Sequence, residues 1–391
     1  GNTVITNDTA LALEVDVSGT LAATATTGGI TDSGTLAVSG KLTLNDVAKA
    51  GISLDSLAAD SEVVITSAGN TAITNDTALA LEGDISGTLN ATADAGGISQ
   101  AGTLTVTGAS TFDAGTAALT LDDATSSYGD LVVTASDAII KEADSVTASS
   151  IQATNLQVSA NSGISISANG VENFAAQTES GDIAFVNIGG YSVESFAEDG
   201  GVEGVSFAND SSTGTISLIA ESPLSVNAPI DAKNGTLVLA ASGKEETDDL
   251  NIASELTAVS AKLFAGDSIN LLTGAVLSSS DTVLSLGTDY DSSSSSVSLG
   301  SADGTLSIDK GVSLPASIMI EGVGRTPLGF DSKARIIKSS YGQMVDYFNA
   351  IEPLLEEGYT WENIKLLGFL PDSMSDLLAP QNYGEIETEE E

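Results

Sequence analysis

The residues from Gly1 to Gly40 return without a gap from Gly69 to Gly108: GNTVITNDTALALEVDVSGTLAATATTGGITDSGTLAVSG becomes GNTAITNDTALALEGDISGTLNATADAGGISQAGTLTVTG. A long repeat at a fixed period restricts a chain to a solenoid, a propeller or an array. A shorter period narrows the choice. Val171-Glu172-Asn173-Phe174-Ala175 recurs as Val193-Glu194-Ser195-Phe196-Ala197, and Ile183-Ala184-Phe185 recurs by the same step as Val205-Ser206-Phe207. Three such steps come close to the distance from Gly1 to Gly69. The short step, about 22 residues, is too small for a propeller blade and fits one turn of a parallel β-helix.

From Gly1 to about Leu314 the chain reads as short alternating runs. Examples are GTLTVTG at 102–108, GDLVVTAS at 129–136, TISLIAES at 215–222 and TLVLAAS at 236–242. Alternation of apolar and polar residues marks half-buried strands, and Gly, Asn, Asp and Ser punctuate them. Stacking like segments in parallel places each residue beneath the one a short step further on. Phe174 is then expected under Phe196 and Phe185 under Phe207, as two aromatic ladders of the core. Hydrophobic residues make up 41% of the chain but aromatics only 4%. That balance suits a narrow coil interior filled by small aliphatic side chains.

The units GGITDSGTLAVSGKLTLN (28–45) and GGISQAGTLTVTGASTFDAGTAALTLDDATSSYGDLVVTAS (96–136) resemble the repeats of filamentous-haemagglutinin-type exoproteins. Members of that family are large adhesins exported by two-partner secretion and fold as right-handed parallel β-helices. The resemblance covers residues 1–314. It implies a secreted or bacterial cell-surface protein with a structural task. The family's motif-bearing N-terminal secretion domain is not evident in this sequence, so Gly1 is expected to be a processed or truncated start.

After Leu314 the composition changes. Five of the seven prolines, the only Trp (Trp361) and five of the 12 basic residues follow it. Residues 332–358 have helical spacing, with Ile336, Ile337, Met344, Tyr347, Phe348 and Ile351 recurring mostly at intervals of three and four. Residues 360–370 read as a second short helix and 371–378 as the start of a third. A small α-helical module over 315–385 is expected, followed by an acidic tail at 386–391. Tyr347, Phe348, Tyr359, Trp361 and Phe369 are its candidate docking residues, weighed against plain helix packing.

The charge balance excludes several partners. With 54 acidic and 12 basic residues the net charge is −42, which repels nucleic acid phosphates and anionic membranes. No apolar run is long enough for a transmembrane helix. The absence of Cys removes disulfides and thiolate metal sites, and the absence of His removes the commonest general base. Parallel β-helices also carry polysaccharide-cleaving enzymes. Here Lys41, Lys49, Lys141, Lys233, Lys244, Lys262 and Lys310 are scattered over 1–314 with no Arg among them, which argues against a tailspike-like carbohydrate enzyme.

Acidic clusters give the one cofactor reading, weak Ca2+ binding. They are Asp122-Asp123, Glu245-Glu246 with Asp248-Asp249, and Asp289 with Asp291. The plainer reading of each is a solvated turn. Five Asn-x-Ser/Thr sequons, at Asn7, Asn75, Asn90, Asn209 and Asn234, are what an Asn-, Ser- and Thr-rich chain produces by chance.

The expectation is an all-β, right-handed single-stranded parallel β-helix (a β-solenoid) over 1–314, with about 22 residues per coil. It carries the long internal repeat as 1–68 and 69–136, with the helical module behind it. The expected function is non-enzymatic: a rigid extracellular fibre or adhesin stalk, self-associating head to tail through the C-terminal module and facing a host receptor or surface glycan. A carbohydrate-active enzyme and a cation-binding acidic matrix protein are the alternatives.

Overall fold

In the computed structural model, residues 1–196, 201–243, 245–286, 288–291, 296–299, 306–309, 312–315, 317–322 and 335–337 are described. Every regular element among them is a β-strand. The chain divides into two compact units, residues 1–189 with 194–209, and residues 190–193 with 210–391.

The first unit shows why the sequence repeats as it does. Its opening repeat holds seven strands: β1 (Thr3–Asn7), β2 (Leu11–Val17), β3 (Leu21–Ala25), β4 (Ile30–Val38), β5 (Leu42–Asp46), β6 (Ile52–Ala59) and β7 (Val63–Ala68). The next repeat holds the matching seven: β8 (Thr71–Asn75), β9 (Leu79–Ile85), β10 (Leu89–Ala93), β11 (Ile98–Val106), β12 (Ser110–Asp113), β13 (Leu119–Leu121) and β14 (Asp130–Thr134). Six further strands continue the pattern: β15 (Asp137–Glu142), β16 (Val146–Gln152), β17 (Asn155–Ala160), β18 (Ile164–Asn169), β19 (Asn173–Thr178) and β20 (Ile183–Ile188). Odd-numbered strands pair in parallel to form one sheet, and even-numbered strands form the other.

Each coil therefore contributes two strands. Thr3 lies opposite Leu21 and Leu21 opposite Leu42 in the odd sheet, while Leu11 lies opposite Ile30 in the even one. Seven strands at two per coil make the long repeat three and a half coils. The three whole coils expected from the sequence are replaced by this half-integer count. Its consequence is that β1 belongs to the odd sheet, whereas its copy β8 belongs to the even one.

Strand alternation supplies the core. β3 buries Leu21, Ala23 and Ala25, and β5 buries Leu42 and Leu44, with the intervening Thr and Ala facing outward. Each fully buried Leu or Ile contributes about 1.5–3 kcal/mol through the apolar area it removes from water. The longer strands β4 and β6 bend midway. Pairing of β2 with β4 slips between Leu13 and Val15, and that of β4 with β6 between Thr31 and Leu36. Such bulges turn a strand round a corner without ending it. Coils also touch closely at turns: Gly129, at φ 65°, packs where an added Cβ would meet the carbonyl oxygen of Gly108.

The second unit is built from three-strand coils. Thr215–Ala220, Thr236–Ala241, Ser260–Ala265 and Asp281–Leu286 form one parallel side. Leu224–Val226, Leu250–Ile252, Ile269–Leu271 and Leu306–Ile308 form the second. Ile230–Asp231, Glu255–Thr257 and Val276–Ser278 form the third. Thr215 faces Thr236 and Thr236 faces Ser260, so successive coils of this unit differ in length. The parallel β-solenoid expected from the repeats is thus the fold of both units.

Two described strands fall inside 315–385. Ser317–Gly322 and Arg335–Ile337 are parallel strands, with Ile318 opposite Ile336. The helical spacing expected from Ser332 onward does not hold at Ile336 and Ile337, whose β-branched side chains suit a pleated ladder. The remainder of that expected module lies outside the described residues, as do the 386–391 tail and Tyr347, Phe348, Tyr359, Trp361 and Phe369.

Candidate functional site

Two places could carry chemistry or recognition: the acidic clusters and the inward-facing polar residues.

The acidic clusters are engaged in turns. Asp123 receives the N–H (2.9 Å) and hydroxyl (2.7 Å) of Thr125 on one oxygen and the hydroxyl of Thr103 (2.9 Å) on the other. The Thr125 hydroxyl and N–H, and then the Thr103 hydroxyl, hold its pKa below the ordinary carboxylate value. Asp122 beside it is half-exposed or more, as a turn residue in solvent should be. In the second unit Asp248 accepts the N–H of Glu245 (2.7 Å), and Asp249 that of Ser268 (3.1 Å). Asp267, which the sequence pattern did not single out, donates its own N–H to the Asp248 carbonyl and accepts the Ser268 hydroxyl (3.0 Å).

Burial, offset in part by the Ser268 N–H and reinforced by the neighbouring Asp267 carboxylate, raises the pKa of Asp249. Glu245 and Glu246 are exposed. Asp289 and Asp291 lie on a strand paired antiparallel with Ser296–Leu299, Asp289 opposite Ser298 and Asp291 opposite Ser296. Among the described residues, no three acidic side chains converge where a metal ion could sit.

The expected aromatic ladders are replaced by a different contact. Phe174 on β19 and Phe185 on β20 stack across the coil interior, ring centroids 3.9 Å apart and planes within 7°. Phe174 pairs with Leu156, and its carbonyl accepts the N–H of Glu194, so the register does not place Phe196 above it. Phe196 instead follows Ser195, which bridges Glu203 antiparallel, and its own N–H donates to the Val202 carbonyl. Phe207 is buried opposite Thr178 in the odd sheet, whereas Phe185 lies in the even one. An insertion inside a strand shifts register, and the text of the repeat does not reveal it.

Of the inward polar residues, Asn187 and Glu142 belong to no motif and Asn75 only to a sequon. Asn75 is fully buried and uses its whole amide. Its oxygen accepts the Ala59 N–H (2.8 Å), and its NH2 donates to the carbonyls of Ala59 (3.1 Å) and Ala78 (2.7 Å). The side chain stands in for a peptide group where straight β8 meets bent β6, whose pairing slips between Leu54 and Leu57. Asn187 does the same for both groups of Val171 (3.2 and 3.1 Å). Glu142 meets a related need: its carboxylate accepts the Tyr128 N–H at 2.8 Å. Burial pushes the Glu142 pKa up to about 7, against the lowering effect of that hydrogen bond. Because Asn75 is enclosed, its sequon is closed to a glycan, whereas Asn90, Asn209 and Asn234 are exposed.

β8 is paired on both sides, with β6 and β10. β1 is paired with β3 alone among the described residues. The inward positions Thr71, Ile73 and Asn75 are buried, while their copies Thr3, Ile5 and Asn7 are half-exposed, and Val4 is 78% exposed.

A family model described as repeats of unknown function (DUF5649) matches residues 1–67 and 68–135, the same two repeats that the strands delineate. No curated protein and no solved structure matches the chain. No helix among the described residues is long and apolar enough to cross a membrane.

Proposed function

We propose that this chain is a non-enzymatic structural protein, the rigid β-solenoid stalk of an extracellular fibre or adhesin on a bacterial surface. The observation that carries the reading is the uninterrupted parallel pairing of β1 to β20, in which each coil is bonded to its neighbours along two sheets. A solenoid of this kind is stabilised by nearest-neighbour interfaces and presents a long outer surface. The resemblance to filamentous-haemagglutinin-type repeats supports the surface location, and the charge of −42 supports a highly solvated exterior. Head-to-tail association through residues 315–385 would make an open, heterologous filament.

Negative-stain electron microscopy over a concentration series, with and without residues 315–391, tests the proposal. Long fibres that disappear on truncation support a filament subunit, and discrete short rods in both samples support a single stalk. Compact particles with no elongated axis overturn both.

A further inference from the structure

We propose that Asn169 and Gly170 form a self-modification site, at which the Gly170 peptide nitrogen attacks the Asn169 side-chain carbonyl and Asn169 is converted to aspartate and isoaspartate without an enzyme. The site is built from described residues of the first unit and does not depend on the stalk reading, so either can fail without the other.

The dipeptide Asn-Gly occurs twice in the sequence, at Asn169-Gly170 and at Asn234-Gly235. Glycine has no Cβ to crowd the attacking nitrogen, and its backbone turns freely. Asparagine is correspondingly among the thermolabile residues. The reaction needs only the chain and water. The Gly170 nitrogen loses its proton and bonds to Asn169 Cγ, the Cγ–Nδ2 bond breaks, and the amide nitrogen leaves as ammonia. Water then opens the cyclic imide at one carbonyl to give aspartate or at the other to give isoaspartate.

The fold treats the two pairs differently. The Asn234 side-chain amide donates to the Asp210 carbonyl at 2.8 Å, and the Asn234 N–H donates to the Ser212 carbonyl at 3.1 Å. The Gly235 N–H donates to the Ala232 carbonyl at 2.7 Å. Gly235 is also buried, and an added Cβ there would meet the carbonyl oxygen of Gly214. At this pair the nucleophile is engaged and the electrophile is tied down.

Asn169 and Gly170 are both exposed, and Gly170, at φ 88°, has open space where a Cβ would stand. Among the described residues, the Asn169 side-chain amide has no hydrogen-bond partner and the Gly170 N–H has no backbone acceptor. Asn169 ends β18. It pairs with Ile188 of β20, and the pairing of β18 with β16 stops a residue earlier, at Ala168 opposite Ile151. Turning the Asn169 carboxamide onto the Gly170 nitrogen therefore disturbs only the Ile188 pair. The same turn at Asn234 breaks the bonds to Asp210, Ser212 and Ala232.

Isoaspartate carries a structural consequence, because it adds a methylene to the main chain just before Val171. The N–H and C=O of Val171 are both held by the Asn187 side chain of the next coil, at 3.2 and 3.1 Å. The extra length is taken up either at the Asn169–Ile188 pair or at this clamp, and register is lost there.

The test is ageing of the full chain in mildly alkaline buffer, followed by peptide mapping and by enzymatic carboxyl methylation to separate isoaspartate from aspartate. In the folded chain Asn169 should convert at least roughly tenfold faster than Asn234, whose reaction requires local opening. In denaturant the two sites should convert at similar rates, since only the shared dipeptide remains. Hydrogen exchange at Val171 and Ile188 should quicken in step with isoaspartate content, and Asn169→Gln should age with neither change. Equal rates at the two sites in the folded chain, or a faster rate at Asn234, overturn the proposal. Conversion at Asn169 that leaves exchange at Val171 and Ile188 unchanged overturns the consequence drawn for the clamp.

Discussion

Glu142 occupies an inward position of β15 that Ala138 and Ile140 fill with apolar side chains. With its pKa raised from 4.5 to about 7, the folded state holds this proton more tightly than the unfolded state. Its contribution is therefore most favourable below about pH 4.5 and is lost as the pH rises to about 7, a swing on the order of 3 kcal/mol. Glu142→Gln keeps an oxygen to accept the Tyr128 N–H and removes the buried charge. Denaturation midpoints should rise in the variant at pH 8 and coincide with the parent near pH 4. The difference between the two curves isolates this group from the many surface carboxylates.

Asn75→Ala acts oppositely, leaving the Ala59 N–H buried without a partner, at about 1–3 kcal/mol, and its C=O with only the Thr77 hydroxyl at 3.4 Å. Chemical denaturation should show that loss, and Asn75→Asp, which retains only the acceptor, should fall between. Both residues were legible in the sequence as polar side chains at inward positions of strand patterns, TAITN and DAIIKE. Alternation gives their direction but not the backbone group that needs them.

At the scale of strands, the Phe174–Phe185 stack joins the two sheets through the interior. Phe185→Ala should cost about 3–5 kcal/mol, from the lost transfer energy and the cavity left between the sheets. Phe196→Ala should cost less than about 1.5 kcal/mol, because its side chain is half-exposed. Equal losses would point to the ladder inferred from the short recurrence. Parallel strands were legible because Gly- and Asn-bounded alternating runs fix local structure. Register was not, since residues inserted between Ser195 and Glu203 leave the flanking apolar pattern unchanged. The count of strands per repeat was hidden for a similar reason. Odd and even sheets use the same apolar alternation, so nothing in the residues distinguishes three coils from three and a half. The copies at Thr3 and Thr71 look identical in sequence yet take places in different sheets.

For the whole molecule the dominant long-range term is the net charge of −42, carried by 54 acidic and 12 basic residues. Self-repulsion of this size disfavours compact states and is screened by salt, whose Debye length shortens from about 30 Å at 0.01 M to about 10 Å at 0.1 M. Raising NaCl over that range should therefore raise the thermal midpoint. Calcium separates screening from binding. Asp123 has both oxygens engaged by Thr donors, and Asp248 and Asp249 each accept a backbone N–H. A bound Ca2+ would need six to eight oxygens gathered at one point, and the turns of the described residues spread their carboxylates along the coils instead. At matched ionic strength, CaCl2 and NaCl should then give the same midpoint. A larger rise with CaCl2, abolished by Asp248→Asn with Asp249→Asn but not by Asp122→Asn, would locate a calcium site in the second unit and support the cation-binding reading at that turn.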